Sequence, residues 1–397
     1  MADQFNYDSF FSDDSMDTPP GSVRHSKYDF AVAYPDPANL PLEDLIESVR
    51  AGFEREGRDL AYYSSPAGDP ELRKLVADKL SRERNMKVTA DDMVLTSGSG
   101  EAIGIVIQAL TNPGDVVLVE EFVYLGTLNQ MKRYGADVVA VKCDDGGIIP
   151  ESLDSVITEQ TANGKTVKYL YTIPMFQNPL GWTMDLERRK EVLEVTGKHG
   201  IPVFEDDCYA DLRFAGDDVT SFHSLDDTGR VVYVGSFSKI IAPGMRMGYL
   251  VAPKEVIGRA WSFKSGGAVS QFTALTIAEY MKGGLDRHID EQNQALMAKR
   301  DAMVSALGEN FGSSVEWSVP EGGLYCWVKF PEGTDLAAPQ EEIFHEGVSY
   351  YNGSQFSPTG EGVNYARLCF GHPTVETIRD GIAEFARILD HKKVFPR

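Results

Sequence analysis

The chain predicts an α/β fold: a three-layer, mostly parallel sheet covered by helices, with a smaller α+β domain built from the N- and C-terminal segments. Three observations predict it. From Met93 to Val251, short β-branched runs alternate with stretches of helical spacing, the signature of strand, crossover helix and parallel strand. Those runs are apolar almost throughout rather than at every second position, as expected for strands buried on both faces. At 397 residues the chain is long enough for one large domain plus a smaller one.

Taken in order, Met1 to about Lys27 mixes Asp, Ser, Asn and Phe without periodicity and passes through Pro19-Pro20-Gly21. It reads as an arm, and Phe5, Tyr7, Phe10 and Phe11 suit docking onto a partner subunit. It is too short for a helix-turn-helix domain. Leu42, Leu45, Ile46, Val49 and Phe53 recur at helical spacing and predict an amphipathic helix over 42–56. Asp69 and Pro70 mark the cap and first turn of a second helix reaching Arg84. Between them, Tyr62 to Gly68 is a polar aromatic loop.

The strands follow: Val94-Leu95-Thr96, Val116–Val119, Val138–Val141, Val167–Thr172, Ile201–Phe204, Val231–Val234 and Gly248–Val251. Helices fall among them at 101–110, 126–134 and 185–199. After Asp286 a long polar helix runs to about Leu307. Trp317 to Val328 reads as a strand pair around a Gly-Gly turn, and Val375 to Leu389 as a final amphipathic helix. The expected units are 1–55, the arm and part of the small domain; 56–295, the large domain; and 296–397, the rest of the small domain. Asn352-Gly353-Ser354 reads as a turn rather than a glycosylation site.

Apolar residues make up 42% and charged residues 25%, ordinary for a globular protein. Acidic residues outnumber basic ones 60 to 38, a formal charge of −22, which argues against a nucleic-acid or anionic-membrane partner. The four cysteines are far apart with no CxxC pair, the seven histidines show no ligand spacing, and no metal is expected. Neither a signal peptide nor a bilayer-spanning run is legible, so a cytoplasmic location is expected.

The chemistry is organised around Gly235-Ser236-Phe237-Ser238-Lys239, just past the Val231–Val234 strand, with Arg246 beyond. A lysine at the end of a buried strand is costly as an ammonium. A Schiff base with an aldehyde resolves that cost, and desolvation gives the lowered pKa such chemistry needs. Ser236, Ser238 and Arg246 offer hydroxyls and a guanidinium suited to a phosphate. Together they describe a site for an aldehyde that carries a phosphate, which suggests pyridoxal 5'-phosphate.

Other motifs each admit more than one reading. Ser97-Gly98-Ser99-Gly100 is either an anion cradle at a helix start or a plain Gly-rich turn. Glu205-Asp206-Asp207 supplies metal ligands or a helix cap or, with Lys239 downstream, the carboxylate that faces a pyridinium nitrogen, with Tyr209 beside it. Gln177-Asn178-Pro179 is a turn or supplies an amide to a ring oxygen. Tyr124 packs in the core or stacks on a planar ring. Arg367, inside the apolar strand Tyr365–Phe370, is either a structural ion pair or a clamp for a substrate carboxylate.

As an ordered set these pieces resemble the fold-type I pyridoxal-phosphate enzymes of the class I/II aminotransferase family, in the branch of aminoadipate and kynurenine aminotransferases. The likeness covers nearly all of the chain after about Tyr28. It implies Lys239 as the Schiff-base lysine and proton shuttle, Asp206 against the pyridine nitrogen, and Asn178 and Tyr209 on the ring's phenolic oxygen. It implies Tyr124 stacked on the ring. Ser99, Gly100, Ser236, Ser238 and Arg246 would hold the phosphate, joined by Tyr63 from the other subunit of a homodimer. Arg367 would clamp the substrate carboxylate, with Asn178 and Tyr34 also near the substrate. The chain departs from the branch at Gly100, Phe122 and Leu180, where Gln, Pro and Thr are frequent, and at Ala33-Tyr34-Pro35, in a segment usually rich in glycine. The position of Arg24 matches no side-chain-binding arginine of the family. The resemblance implies transfer of an amino group between an L-amino acid and a 2-oxo acid. The alternatives are elimination, replacement or cyclisation on the same cofactor, and a non-enzymatic regulator that reuses the fold.

Overall fold

A computed structural model describes residues 6–7, 10–11 and 24–395. Phe5 and Pro19-Pro20-Gly21 lie outside the described residues. Tyr7, Phe10 and Phe11 are exposed.

Seven strands form the central sheet: β1 (Met93–Thr96), β2 (Val116–Glu120), β3 (Asp137–Val141), β4 (Val167–Thr172), β5 (Val203–Asp206), β6 (Val231–Ser236) and β7 (Gly248–Val251). Their order is β1-β7-β6-β5-β4-β2-β3. All pairings are parallel except those of β7, which runs antiparallel to both β1 and β6. The strands begin and end close to where the sequence puts them. β5 starts at Val203 rather than Ile201, because Pro202 has no N–H to give the ladder. β6 runs two residues further, since Gly235 and Ser236 still pair with Tyr249 and Gly248.

The sheet is covered on both faces, as continuous apolar strands require. Alternate residues of β2 divide between two cores. Val116 and Leu118 pack with Leu153, Ile157 and Val192 of the helices α5 (Pro150–Ala162) and α6 (Leu186–Lys198). Val117 and Val119 join the larger core with Ala102, Ile103 and Val106 of α3 (Ser99–Leu110). Of two more helices, α1 (Leu42–Glu56) ends at Gly57, and α2 (Pro70–Arg84) starts where Asp69 Oδ1 accepts from the Leu72 N–H at 2.7 Å. α4 (Leu125–Arg133) follows Tyr124.

A second, four-stranded antiparallel sheet takes β8 (Glu316–Trp317), β9 (Tyr325–Lys329), β10 (Tyr351–Asn352) and β11 (Tyr365–Cys369) in the order β8-β9-β11-β10. The long helix Leu285–Phe311 runs unbroken across the expected boundary at 295/296, joining the regions on either side of it. The N-terminal segment is tied to the second sheet's end of the molecule. Tyr28–Asp29 pairs in parallel with Val348–Ser349, and Phe30 O accepts from the Cys369 N–H at 2.8 Å. No helix among the described residues is long and apolar enough to cross a membrane.

Candidate active site

The carboxyl ends of β4, β5 and β6 lie side by side, with β7 folded back against β6. In parallel α/β sheets this is where ligands bind. A cavity of about 490 Å³ opens there, bounded on its other side by residues 31–34 and by Tyr325, Tyr351, Phe356 and Arg367.

One end of the cavity is a cradle of turns. β1 passes through Ser97 and Gly98 into α3, whose N-terminal residues Ser99 and Gly100 line the wall. Gly98 has φ +85, and a Cβ there would fall 2.6 Å from Arg246 Nη2. Gly248 must also lack a side chain, since its Cβ would meet Ser99 N at 2.6 Å. Arg246 sits in the left-handed region, φ 47, after the short turn Pro243–Met245. Its Nη2 donates to Ser97 O at 3.1 Å. Ser236 and Ser238 line the same end, and Ser236 Oγ accepts from the Ser238 N–H at 3.1 Å. A helix N-terminus, two hydroxyls and a guanidinium line this end, a set of groups suited to an anion.

At the centre stands Lys239, half-buried on the wall. Its Nζ donates to Ala33 O at 2.7 Å, and its own carbonyl accepts from Gln292 Nε2 at 2.7 Å. Burial pulls its pKa below the ordinary lysine value, and the Arg367 and Arg246 charges add to that, against Cys369 and Cys208. Asp206, at the end of β5, is buried. Its Oδ2 accepts from Tyr171 Oη at 2.6 Å, whereas Oδ1 is buried without a partner. Burial raises this carboxyl above the usual range. Its neighbour Glu205 is the cap: it accepts from the Phe222 and His223 N–H groups at 2.9 Å each. Tyr124 lines the wall with 39% of its surface exposed.

The far end is a network of side chains. Arg367 Nη1 donates to Asn178 Oδ1 at 3.0 Å. Asn178 Nδ2 donates to Tyr209 Oη at 3.0 Å and to Tyr325 Oη at 3.3 Å. The two phenol oxygens are 2.9 Å apart. Arg367 Nη2 donates to Ala31 O, and Nε is buried without a partner. No carboxylate pairs with Arg367 among the described residues, so the structural ion-pair reading of this arginine falls. The Asn178-Pro179 peptide bond is cis.

Of the residues singled out from sequence, the cavity brings together Tyr34, Ser99, Gly100, Tyr124, Asp206, Tyr209, Ser236, Ser238, Lys239, Arg246 and Arg367. Asn178 is buried behind the wall, where it joins Arg367 to the tyrosines. Tyr63 does not line the cavity and is fully exposed. Arg24 is engaged at the surface with Glu341 at 2.8 Å. Sequence reasoning missed Tyr325, Tyr351, Phe356, Ile173 and Cys208. The Gly322-Gly323 turn before Tyr325 was the available signal: Cβ atoms there would run into Phe176, which shows how closely this strand approaches the 177–181 turn.

The residues fit pyridoxal phosphate on three observations of the chain itself. Asp206 Oδ1 is buried with no hydrogen bond, a lysine lining the same cavity is held below its usual pKa, and turns where side chains would intrude form a cradle suited to an anion.

The family model for aminotransferase class I and II matches residues 31–385. Aromatic-amino-acid aminotransferase 1 of Thermococcus litoralis is 32% identical, covering 98% of this chain and 96% of its own. The multiple substrate aminotransferase of Thermococcus profundus superposes with a TM-score of 0.92 at 31% identity, over 98% of this chain and 99% of its own. The kynurenine aminotransferase of Pyrococcus horikoshii, solved in complex with PMP, gives 0.90 at 32% identity, over 97% and 98%.

Proposed function

The chain belongs to the class I and II aminotransferase family and is an aminotransferase of fold type I; from that premise we propose how its own residues do the work and on what. The cofactor is pyridoxal 5'-phosphate, attached through Lys239. When bound it supplies an aldehyde for the amine and a ring that takes up the electrons left as a proton leaves the substrate carbon.

The remaining tasks belong to side chains. Arg246, Ser236, Ser238, Ser99 and Gly100 hold the phosphate. Asp206 Oδ1, the orphaned acceptor, holds the ring N–H and keeps it protonated. Tyr209, backed by Asn178, donates to the phenolic oxygen, and Tyr124 covers the ring. Arg367 would clamp the substrate carboxylate with the donors that no carboxylate among the described residues claims. Lys239, with its lowered pKa, would take the Cα proton at Nζ as general base and hold it for return.

The amino donor is an L-amino acid with an aromatic side chain, and the acceptor a 2-oxo acid. Tyr34, Tyr124, Tyr351 and Phe356 line the cavity, and among the described residues its lining cations are Lys239, Arg246 and Arg367, all with tasks already. None is left for a second, distal carboxylate. A homodimer completes the site through Tyr63. Its full exposure supports this, as does the apolar groove of Leu42, Ile46, Met245 and Phe272 on the same chain. All four cysteines are free thiols, which supports a reducing, cytoplasmic location.

The observation that carries this reading is the meeting, in one cavity, of a half-buried lysine, a buried carboxylate oxygen with no hydrogen bond and an arginine with no counter-ion among the described residues. The test is the half-reaction of the loaded protein with a panel of amino acids. Phenylalanine, tyrosine and tryptophan should each yield one equivalent of 2-oxo acid, about tenfold or more faster than aspartate or 2-aminoadipate. Ammonia released without an acceptor would instead establish the elimination reading.

A further inference from the structure

Tyr325 belongs to none of the sequence motifs, yet it sits between Arg367 and Tyr209. It lies on β9, buried, with its ring under the Arg367 guanidinium at 4.5 Å and its Oη 2.9 Å from Tyr209 Oη.

The protons of this cluster can be counted. A guanidinium has donors only, so Asn178 must present its oxygen to Arg367 and its two N–H groups to the tyrosines. Each phenol oxygen therefore accepts once from Asn178. The two hydroxyls own two protons. One bridges the 2.9 Å between them, and the other is left over. Both tyrosines line the cavity, so the cluster presents one surplus O–H donor to it.

Which oxygen offers that donor depends on the direction of the bridge. Burial raises both phenols. For Tyr325 the Arg367 charge over the ring opposes this, whereas for Tyr209 the next influence, Tyr325 itself, adds to it. The other titratable groups around the pair are Tyr124, Cys208 and Cys369. The guanidinium 4.5 Å over the Tyr325 ring draws electrons from that phenol and so favours Tyr325 as the donor of the bridge to Tyr209. Tyr209, accepting twice, becomes the stronger donor and points its proton into the cavity.

We propose that Tyr325 is a positioning residue that aims and strengthens the Tyr209 hydroxyl under the control of Arg367, so that the carboxylate clamp and the phenol facing the cofactor act as one unit. This rests on the reading of the cavity given under Proposed function. It follows that a carboxylate neutralising Arg367 relaxes the bias on Tyr325 and weakens donation by Tyr209.

The test is the pH midpoint of the visible absorbance of the cofactor-loaded protein, with and without 3-phenylpropionate as an inert carboxylate. Weaker donation to an anionic oxygen favours the protonated form. Tyr325→Phe should therefore raise the midpoint by about half a pH unit, roughly threefold in proton affinity, and shrink the shift that 3-phenylpropionate causes. In a Tyr209→Phe background the same change should do nothing further, because Tyr325 acts only through Tyr209. An unchanged midpoint in Tyr325→Phe, or an equal shift in both backgrounds, overturns the proposal while leaving the cofactor reading intact. Loss of cofactor from Tyr325→Phe also overturns it, since that marks a merely structural role. A wild-type protein that takes up no colour overturns the cofactor reading itself.

Discussion

The two ends of the cavity are built on opposite principles. The phosphate end consists of turns: Ser97–Gly100 between β1 and α3, and Ser236–Arg246 between β6 and β7. Most of its donors belong to neighbours along the chain, and the bond from Arg246 to Ser97 O ties the two turns together. The clamp end joins Arg367, Asn178, Tyr209 and Tyr325, drawn from four separate stretches and linked by buried side-chain hydrogen bonds. Local turns tolerate the loss of one donor because others remain. A buried network does not, since each member left behind is a desolvated polar group.

The sharpest way to break this contrast is Arg367→Lys. Lysine keeps the charge but cannot serve Asn178, Ala31 and a carboxylate with one planar fork. kcat/KM should fall about 100-fold, or ~2.7 kcal/mol, with cofactor retention unchanged. A loss below about threefold would mean that the network carries nothing. Arg246→Lys is the matching change at the other end. Cofactor retention should weaken about tenfold, whereas kcat at saturating cofactor stays within about twofold, because helix N–H groups and hydroxyls still hold the phosphate. A kcat that falls as far as for Arg367→Lys would erase the distinction between the ends.

The smallest effect is on stability. Glu120 anchors the turn that carries Asn178: it accepts from Thr172 Oγ1, from the Ile173 N–H at 3.0 Å and from Gln177 Nε2 at 2.9 Å. Burial pushes its carboxyl up to about 8. A folded-state pKa above the unfolded one gives stability that is complete below the ordinary carboxylate range and lost as pH rises toward 8. Glu205, pushed up to about 7 by burial and by Asp207, acts with the same sign. Tm should therefore fall between pH 5 and pH 8, and Glu120→Gln should flatten part of that slope. A Tm that rises over this range would contradict the assignment.

The same contrast explains what could be read in advance. Strands, helices and the cradle follow from periodicity, caps and glycines, all of which are local. Asp69, Pro70 and Gly98 each act within a few residues of where they stand. Lys239 and Asp206 were legible because their burial is implied by the strands that precede them. Tyr325 was not, because nothing within β9 says that its hydroxyl meets Tyr209 across the cavity, 116 residues away. Asn178 was legible as a turn, but its place behind the wall depends on Arg367, 189 residues further on. Arg367 was ambiguous for the opposite reason: an arginine in an apolar strand demands a partner, and only the fold reveals that none of the described residues supplies a carboxylate.

Both ends matter only if the amine between them carries the cofactor. Borohydride reduction of the loaded protein, followed by proteolysis and peptide mapping, reads this out directly. The label should appear on Lys239 alone, and Lys239→Ala should take up none. A label on any other lysine, or a protein that stays colourless after reconstitution with pyridoxal phosphate, would contradict the account at its root.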